Sequence, residues 1–159
     1  RAHREMRNHA MIDNQDELVE QLRRWQEILR LRDWDIRLDI VKTRWRKTGD
    51  IKIDRDDRKA VLLINGENPK QENLEEVIIH ELLHLKLYEM DQMIESLLAK
   101  VYGEDEDDPR FDLAYDHFMI TLESTVEDLT KGYLALGAED KTLSFGRLEE
   151  QIREELGES

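Results

Sequence analysis

The stretch from Asn73 to about Lys100 confines the fold more than any other part of the chain. Asn73 followed three residues later by Glu76 marks a helix start. Ile78, Leu82 and Leu85 then line one side of the helix, and Ile79, Leu83, Leu87 and Met90 line another. A helix apolar round most of its circumference belongs in the middle of a domain, covered on several sides. Two of the chain's five histidines, His80 and His84, lie within this helix. Four residues apart, they sit one turn from each other on one face, so two imidazole nitrogens can reach a single point. Burying such a pair without polar partners costs the desolvation of both rings.

The 159 residues suit one domain with a modest core. Hydrophobic and charged residues each make up 39%, which predicts a globular chain with a heavily charged surface. No apolar run approaches the roughly 20 residues that span a bilayer. Residues 1–20 lack an apolar stretch, so no secretory leader is expected. With no cysteine, any metal must be held by His, Asp or Glu, and a reducing cytoplasm is the expected compartment. The net charge of −14 is uneven. Residues 1–70 hold 17 Lys/Arg and 14 Asp/Glu (+3), whereas residues 71–159 hold 7 and 24 (−17). Such a field opposes nucleic acid.

Residues 1–12 have no clear period and read as a flexible leader, leaving 13–138 as the domain and 139–159 as a tail. Asn14 and Glu17 form a capping box before Leu18, Leu22, Trp25 and Leu29, one helical stripe. From Trp34 the period is two: Trp34, Ile36, Leu38 and Ile40 alternate with charged residues as a half-buried strand. Ile51 and Ile53 suggest a second strand and Ala60–Ile64 a third, with short polar turns between. An antiparallel meander is therefore expected. After the helix from Asn73, Asp108 and Pro109 start another that runs to about Leu136, with Phe111, Tyr115, Phe118, Leu122, Val126, Leu129 and Tyr133 as its stripe. A last helix carries Phe145, Leu148, Ile152 and Leu156; packing on the outer side of the domain is its default role, with dimerisation or covering of the cleft as alternatives. The fold class is α+β: an N-terminal helix, a small three-stranded, mainly antiparallel sheet, two long helices and a C-terminal helix.

His80-Glu81-Leu82-Leu83-His84 matches HExxH, a pattern with a mechanical reason. The two histidines supply two zinc ligands. Glu81, swung about 100° round the helix, reaches a water rather than the ion, and so is the candidate general base. Catalytic zinc needs a third protein ligand. His3 and His9 lie in the leader. His117 projects about 120° from the line through Glu123 and reads as a solvated surface residue. Glu123 borders the stripe made by Met119, Leu122 and Val126, so it can point from the core edge toward the histidine helix. It is either a solvated carboxylate or the third ligand of a His80–His84–Glu123 set, and the second reading is preferred. Glu127 and Asp116, one turn later and two turns earlier, are candidates to support the ligands from behind.

These residues resemble the gluzincin group of zinc metallopeptidases, most closely its small stand-alone, zincin-like members. That group pairs HExxH with a glutamate on a following helix, often with an acid four positions later, here Glu123 and Glu127. The resemblance covers about residues 33–137. The long metzincin motif is absent, because Leu87 and Met90 stand where it needs Gly and His. The resemblance implies a zincin-like fold and hydrolysis of peptide bonds in a peptide or protein substrate. Zn²⁺ would polarise the carbonyl and Glu81 would move the proton. It also implies that an extended substrate adds to a sheet edge, for which the strand at residues 60–64 is the expected candidate. Tyr133, with Tyr115 and Tyr88, is a candidate hydroxyl to stabilise the transition state. The alternative is a zincin-fold binding or regulatory protein of phage or toxin–antitoxin type that keeps zinc and hydrolyses little or nothing.

Two charged runs read as solvated surface. Residues 104–108 lack the spacing and glycine of a calcium loop. Lys42–Lys47, with Trp45, suits a strand end facing water as well as it suits nucleic acid.

Overall fold

The computed structural model describes residues 15–104 and 107–157. The leader, the Asn14 cap, His3, His9 and part of the acidic run therefore lie outside the described residues. The described chain is α+β, with five helices and one three-stranded sheet. The order is α1 (Gln15–Ile28), β1 (Asp35–Val41), β2 (Gly49–Asp54), β3 (Lys59–Asn65), α2 (Leu74–Lys86), α3 (Tyr88–Tyr102), α4 (Pro109–Gly137) and α5 (Gly146–Glu155).

The expected α1 stripe is the observed one: Leu18, Leu22, Trp25 and Leu29 are all buried. The sheet departs from a meander. Its order is β1-β3-β2, with β1 parallel to β3 and β2 antiparallel to it. The strand directions alternate as short turns require, but the chain between β1 and β2 crosses to the far side and β3 inserts between them. This central place suits β3, whose Ala60, Leu62 and Ile64 are buried while both its edges are paired. Leu62 stands between Leu38 and Ile51, so one sheet face forms a continuous apolar surface. The edge expected at residues 60–64 is therefore absent, and β2 provides the edge beside the histidine helix.

α2 packs against α1, α4, β2 and β3, as its apolar circumference requires. Asn73 caps it by accepting from the Glu76 amide. The helix expected to continue to Lys100 breaks at Leu87, which leaves the helical region at φ −95°, ψ 2°. No glycine or proline marks the break. It falls where burial ends: Leu85 is the last buried residue, and Met90 and Met93 are exposed. α4 begins as expected, with the Asp108 carboxylate accepting from the Arg110 amide and Pro109 in the first turn. Its buried line is Val126, Thr130 and Leu134, and Leu129 points outward. Thr130 tolerates complete burial because its hydroxyl donates to the Val126 carbonyl at 2.7 Å.

No described helix is long and apolar enough to cross a membrane.

Candidate metal centre

α2 and α4 lie side by side, and their contact sets the site. The histidines emerge on the face of α2 that meets α4, while Ile78, Ile79 and Leu82 around them are fully buried. His80 Nε2 and His84 Nε2 lie 3.2 Å apart. Glu123 closes a triangle, with Oε1 2.8 Å from His84 Nε2 and Oε2 3.5 Å from His80 Nε2. One ligand atom from each of the three residues falls within 4.8 Å of the others, and these side chains are half-buried. For a tetrahedral ion with bonds of about 2.0–2.1 Å, neighbouring donors stand roughly 3.3 Å apart. These side chains thus have the composition of a His₂Glu donor set and lie close enough together to hold a metal ion.

The other imidazole nitrogen of His80 is also engaged. Its Nδ1 lies 3.1 Å from Glu127 Oε1, one turn beyond Glu123 on α4. A carboxylate at that nitrogen fixes the ring with Nε2 turned toward His84 and Glu123. Burial opposes the charge on His80, but hydrogen bonds to Glu123 and Glu127 outweigh it and push its pKa up to about 10. The same bonds, from His80 and His84, hold the Glu123 carboxyl far below the ordinary range, and His80 lowers Glu127.

Glu81 lines the same cleft as the histidines and is buried, 8% exposed. Burial raises its pKa, against the attraction of His80 and His84. It lies beside Gly49 at the start of β2. A Cβ at Gly49 would overlap Val77 Cγ1, crowd the Leu63 carbonyl and come 3.6 Å from Glu81 Cγ. Glycine here lets the edge strand lie against the histidine helix.

The three ligand candidates and Glu81 line a single cleft of about 1800 Å³. Its walls are β2, α2, α4 and the segment around the start of α5. Such a volume exceeds the several hundred Å³ typical of small-molecule pockets and suits a stretch of chain.

The remaining candidates separate. Asp116 is exposed and outside the cleft, because α2 ends before it reaches that level of α4. Tyr133 is also outside the cleft: it packs edge-on against Trp25 at 6.2 Å between centroids, as part of the core. Tyr115 stacks on Phe111. Of the three tyrosines only Tyr88 lines the cleft. His117 is exposed, as expected.

Asp91 escaped sequence reasoning, and for the tail the less favoured of its readings is the observed one. Asp91 lines the cleft near His84, and its Oδ1 is buried without a hydrogen-bond partner. Its place seven residues after His84, which an unbroken helix would put on the same face, was the available signal. Outer packing of the tail does not hold. Residues 143–148 border the cleft, and α5 has no buried residue.

Comparison with known proteins found no matching family model, curated protein or solved structure.

Proposed function

We propose that this protein is a zinc-dependent metallopeptidase of gluzincin type, with His80, His84 and Glu123 as the metal ligands. The observation that carries the reading is the convergence of two imidazole nitrogens 3.2 Å apart and the Glu123 carboxylate, whose oxygens lie 2.8 Å from His84 and 3.5 Å from His80, beside the buried carboxylate of Glu81. When bound, zinc supplies Lewis acidity, which polarises a scissile carbonyl and lowers the pKa of water.

The chain's own residues supply the rest. Glu81, one residue after the first ligand, takes a proton from the attacking water and returns it to the leaving amine nitrogen. Its burial favours proton uptake, which suits a base that must also act as an acid. Glu127 holds His80 in the ligating tautomer. β2 pairs only with β3 among the described residues, so its outer edge can hold an extended peptide across the metal site by strand addition. Tyr88 is the cleft tyrosine available to donate to an oxyanion.

Two measurements test the proposal together. Elemental analysis of gently purified protein should find about one zinc per chain. A peptide library incubated with the zinc-loaded protein should be cleaved, and a Glu81→Gln variant should cleave it about 10²–10⁴-fold more slowly. A folded, metal-free protein would refute the assignment. A zinc-loaded protein that cleaves nothing would favour the silent, zinc-keeping alternative.

A further inference from the structure

All the basic residues that line the cleft lie on one flank of it, although the chain as a whole is strongly acidic. They are Arg46 and Lys47 before β2, Lys70 before α2, Lys131 on α4 and Arg147 on α5. Their backbones and side chains interlock. The Lys70 amide donates to Thr48 Oγ1 at 3.3 Å, and the Lys70 carbonyl packs against Gly146, next to Arg147. Arg147 approaches Glu127 at 3.8 Å, and Lys131 faces Glu76 and Glu127. The opposite flank, where Ile53, Tyr88, Asp91, Met119 and Ile120 line the cleft, has no cation in its lining, Arg55 nearby being paired with Glu89, and holds the unpartnered Asp91 oxygen.

The basic flank is built rather than loosely hung. Asn65 is fully buried, and its side-chain amide donates to the carbonyls of Trp45 and Lys47 at 3.2 and 2.8 Å. Asn68 donates to the same Trp45 carbonyl. These bonds fix the backbone on both sides of Arg46. On the far side, Asn73 donates to the carbonyls of Asp140 and Thr142, and Glu76 accepts from the Ser144 amide. That fastens the segment leading to Arg147. Most acids on this flank are committed: Asp50 to Lys47 and Lys52, Glu150 to Lys70, and Glu127 to His80, whereas Asp128, beside Glu127, is exposed. Arg46 and Lys131 are exposed, with no ion pair among the described residues. Arg147 holds Glu127 only at long range and is itself exposed.

We infer that this flank is a carboxylate-binding subsite, selecting peptides with an acidic group on the side of the metal site that faces α5. The inference rests on the peptidase reading and names its substrate class. The direction of β2 agrees with it. β2 runs from Gly49, on the basic flank, toward Tyr88. A peptide pairing antiparallel to β2 places its C-terminal side against the cations and its N-terminal side toward Asp91. The carboxylate can come from an Asp or Glu side chain or from the peptide's own C-terminus.

Binding to the zinc-supplemented Glu81→Gln chain tests this without turnover. Fluorescent extended peptides would carry Glu-Glu, Gln-Gln or Lys-Lys in their C-terminal third, all amidated, with a fourth Gln-Gln peptide left as the free acid. Anisotropy titrations should give the Glu-Glu peptide about tenfold tighter Kd than Gln-Gln, falling with added salt. Tight binding of the free acid alone would assign the subsite to a chain terminus, and tight binding of Glu-Glu would assign it to side chains. Lys131→Gln with Arg147→Gln should erase the preference and leave Gln-Gln binding unchanged, with melting temperature confirming the fold. Equal affinities for all four peptides, a preference for Lys-Lys, or no binding at all would overturn the inference. A zinc-free or hydrolytically silent protein that still prefers Glu-Glu would overturn the peptidase reading alone.

Discussion

His80 Nδ1 donates to Glu127 Oε1 at 3.1 Å, so the residue one turn beyond the carboxylate ligand candidate orients the first histidine. Glu127→Ala should lower zinc affinity about 10–100-fold by releasing that ring. Glu123→Ala should cost far more, because it removes a donor, and Asp116→Ala should cost nothing. Competition titrations against a chelator check the order. Glu127→Ala as the most damaging change would move the ligand along α4.

Zinc loading should release protons even in mildly alkaline buffer. In the metal-free chain His80 stays protonated up to about pH 10, against 6.5 for an ordinary histidine. Its raised pKa stabilises the metal-free fold fully below about 6.5, and that stability is lost as pH rises through about 10. Glu123 and Glu127 are lowered from 4.5, so their contribution is present above that value and is lost as pH falls through their lower folded values. The metal-free protein should therefore be best stabilised by this cluster between about pH 4.5 and 6.5. Zinc needs the neutral ring, so binding at pH 8 should expel close to one proton. Calorimetry in buffers of different ionisation enthalpy counts it, and no release at pH 8 would contradict the arrangement.

Glu81→Gln should keep its zinc while hydrolysis falls by about 10²–10⁴-fold. The carboxylate lies off the ligand triangle but beside it, so the amide preserves packing and removes only proton transfer. Metal content and turnover measured on one preparation separate the two effects.

Removing residues 145–159 should leave stability nearly unchanged, since α5 has no buried side chain and its link to the body through Lys70 and Glu150 is exposed. Removing 139–159 should cost about 1–3 kcal/mol more. It strips the Glu139 and Asp140 amides from the buried Glu75, the Ser144 amide from Glu76, and two carbonyls from Asn73. Both truncated proteins should keep zinc. Denaturant melts compare them, and loss of the metal in the shorter deletion would place part of the site in the tail.

Gly49→Ala should destabilise the protein by about 1–3 kcal/mol, because the added methyl meets Val77 and the Leu63 carbonyl in a packed core. It also pushes the edge strand away from Glu81, so peptide binding should weaken beyond what zinc content explains. A variant as stable as the parent would show that β2 shifts freely.

Local pattern carried much of this architecture. The α1 stripe was readable because each of its members meets the same core, so burial follows the 3.6-residue period. The α2 histidines were readable because HExxH is short-range geometry on one helix. The nearness of Glu127 to the histidine helix was readable because it stands one turn from Glu123. Asp116 was placed wrongly: spacing along α4 says nothing about where α2 stops.

The sequence by itself determined the α+β class, the strand and helix content, and a pair of imidazoles on a buried helix, since each depends on contacts within a few residues. Only the tertiary structure decided that β3 lies between β1 and β2, that the histidine helix breaks at Leu87, that Tyr133 belongs to Trp25, and that the tail borders the cleft. Each of these is a choice among partners distant in the chain. Alternation marks which strand face is buried but not which strand lies alongside. An amphipathic stripe states that a face is apolar but not whether another element covers it, and on α5 none of the described residues does.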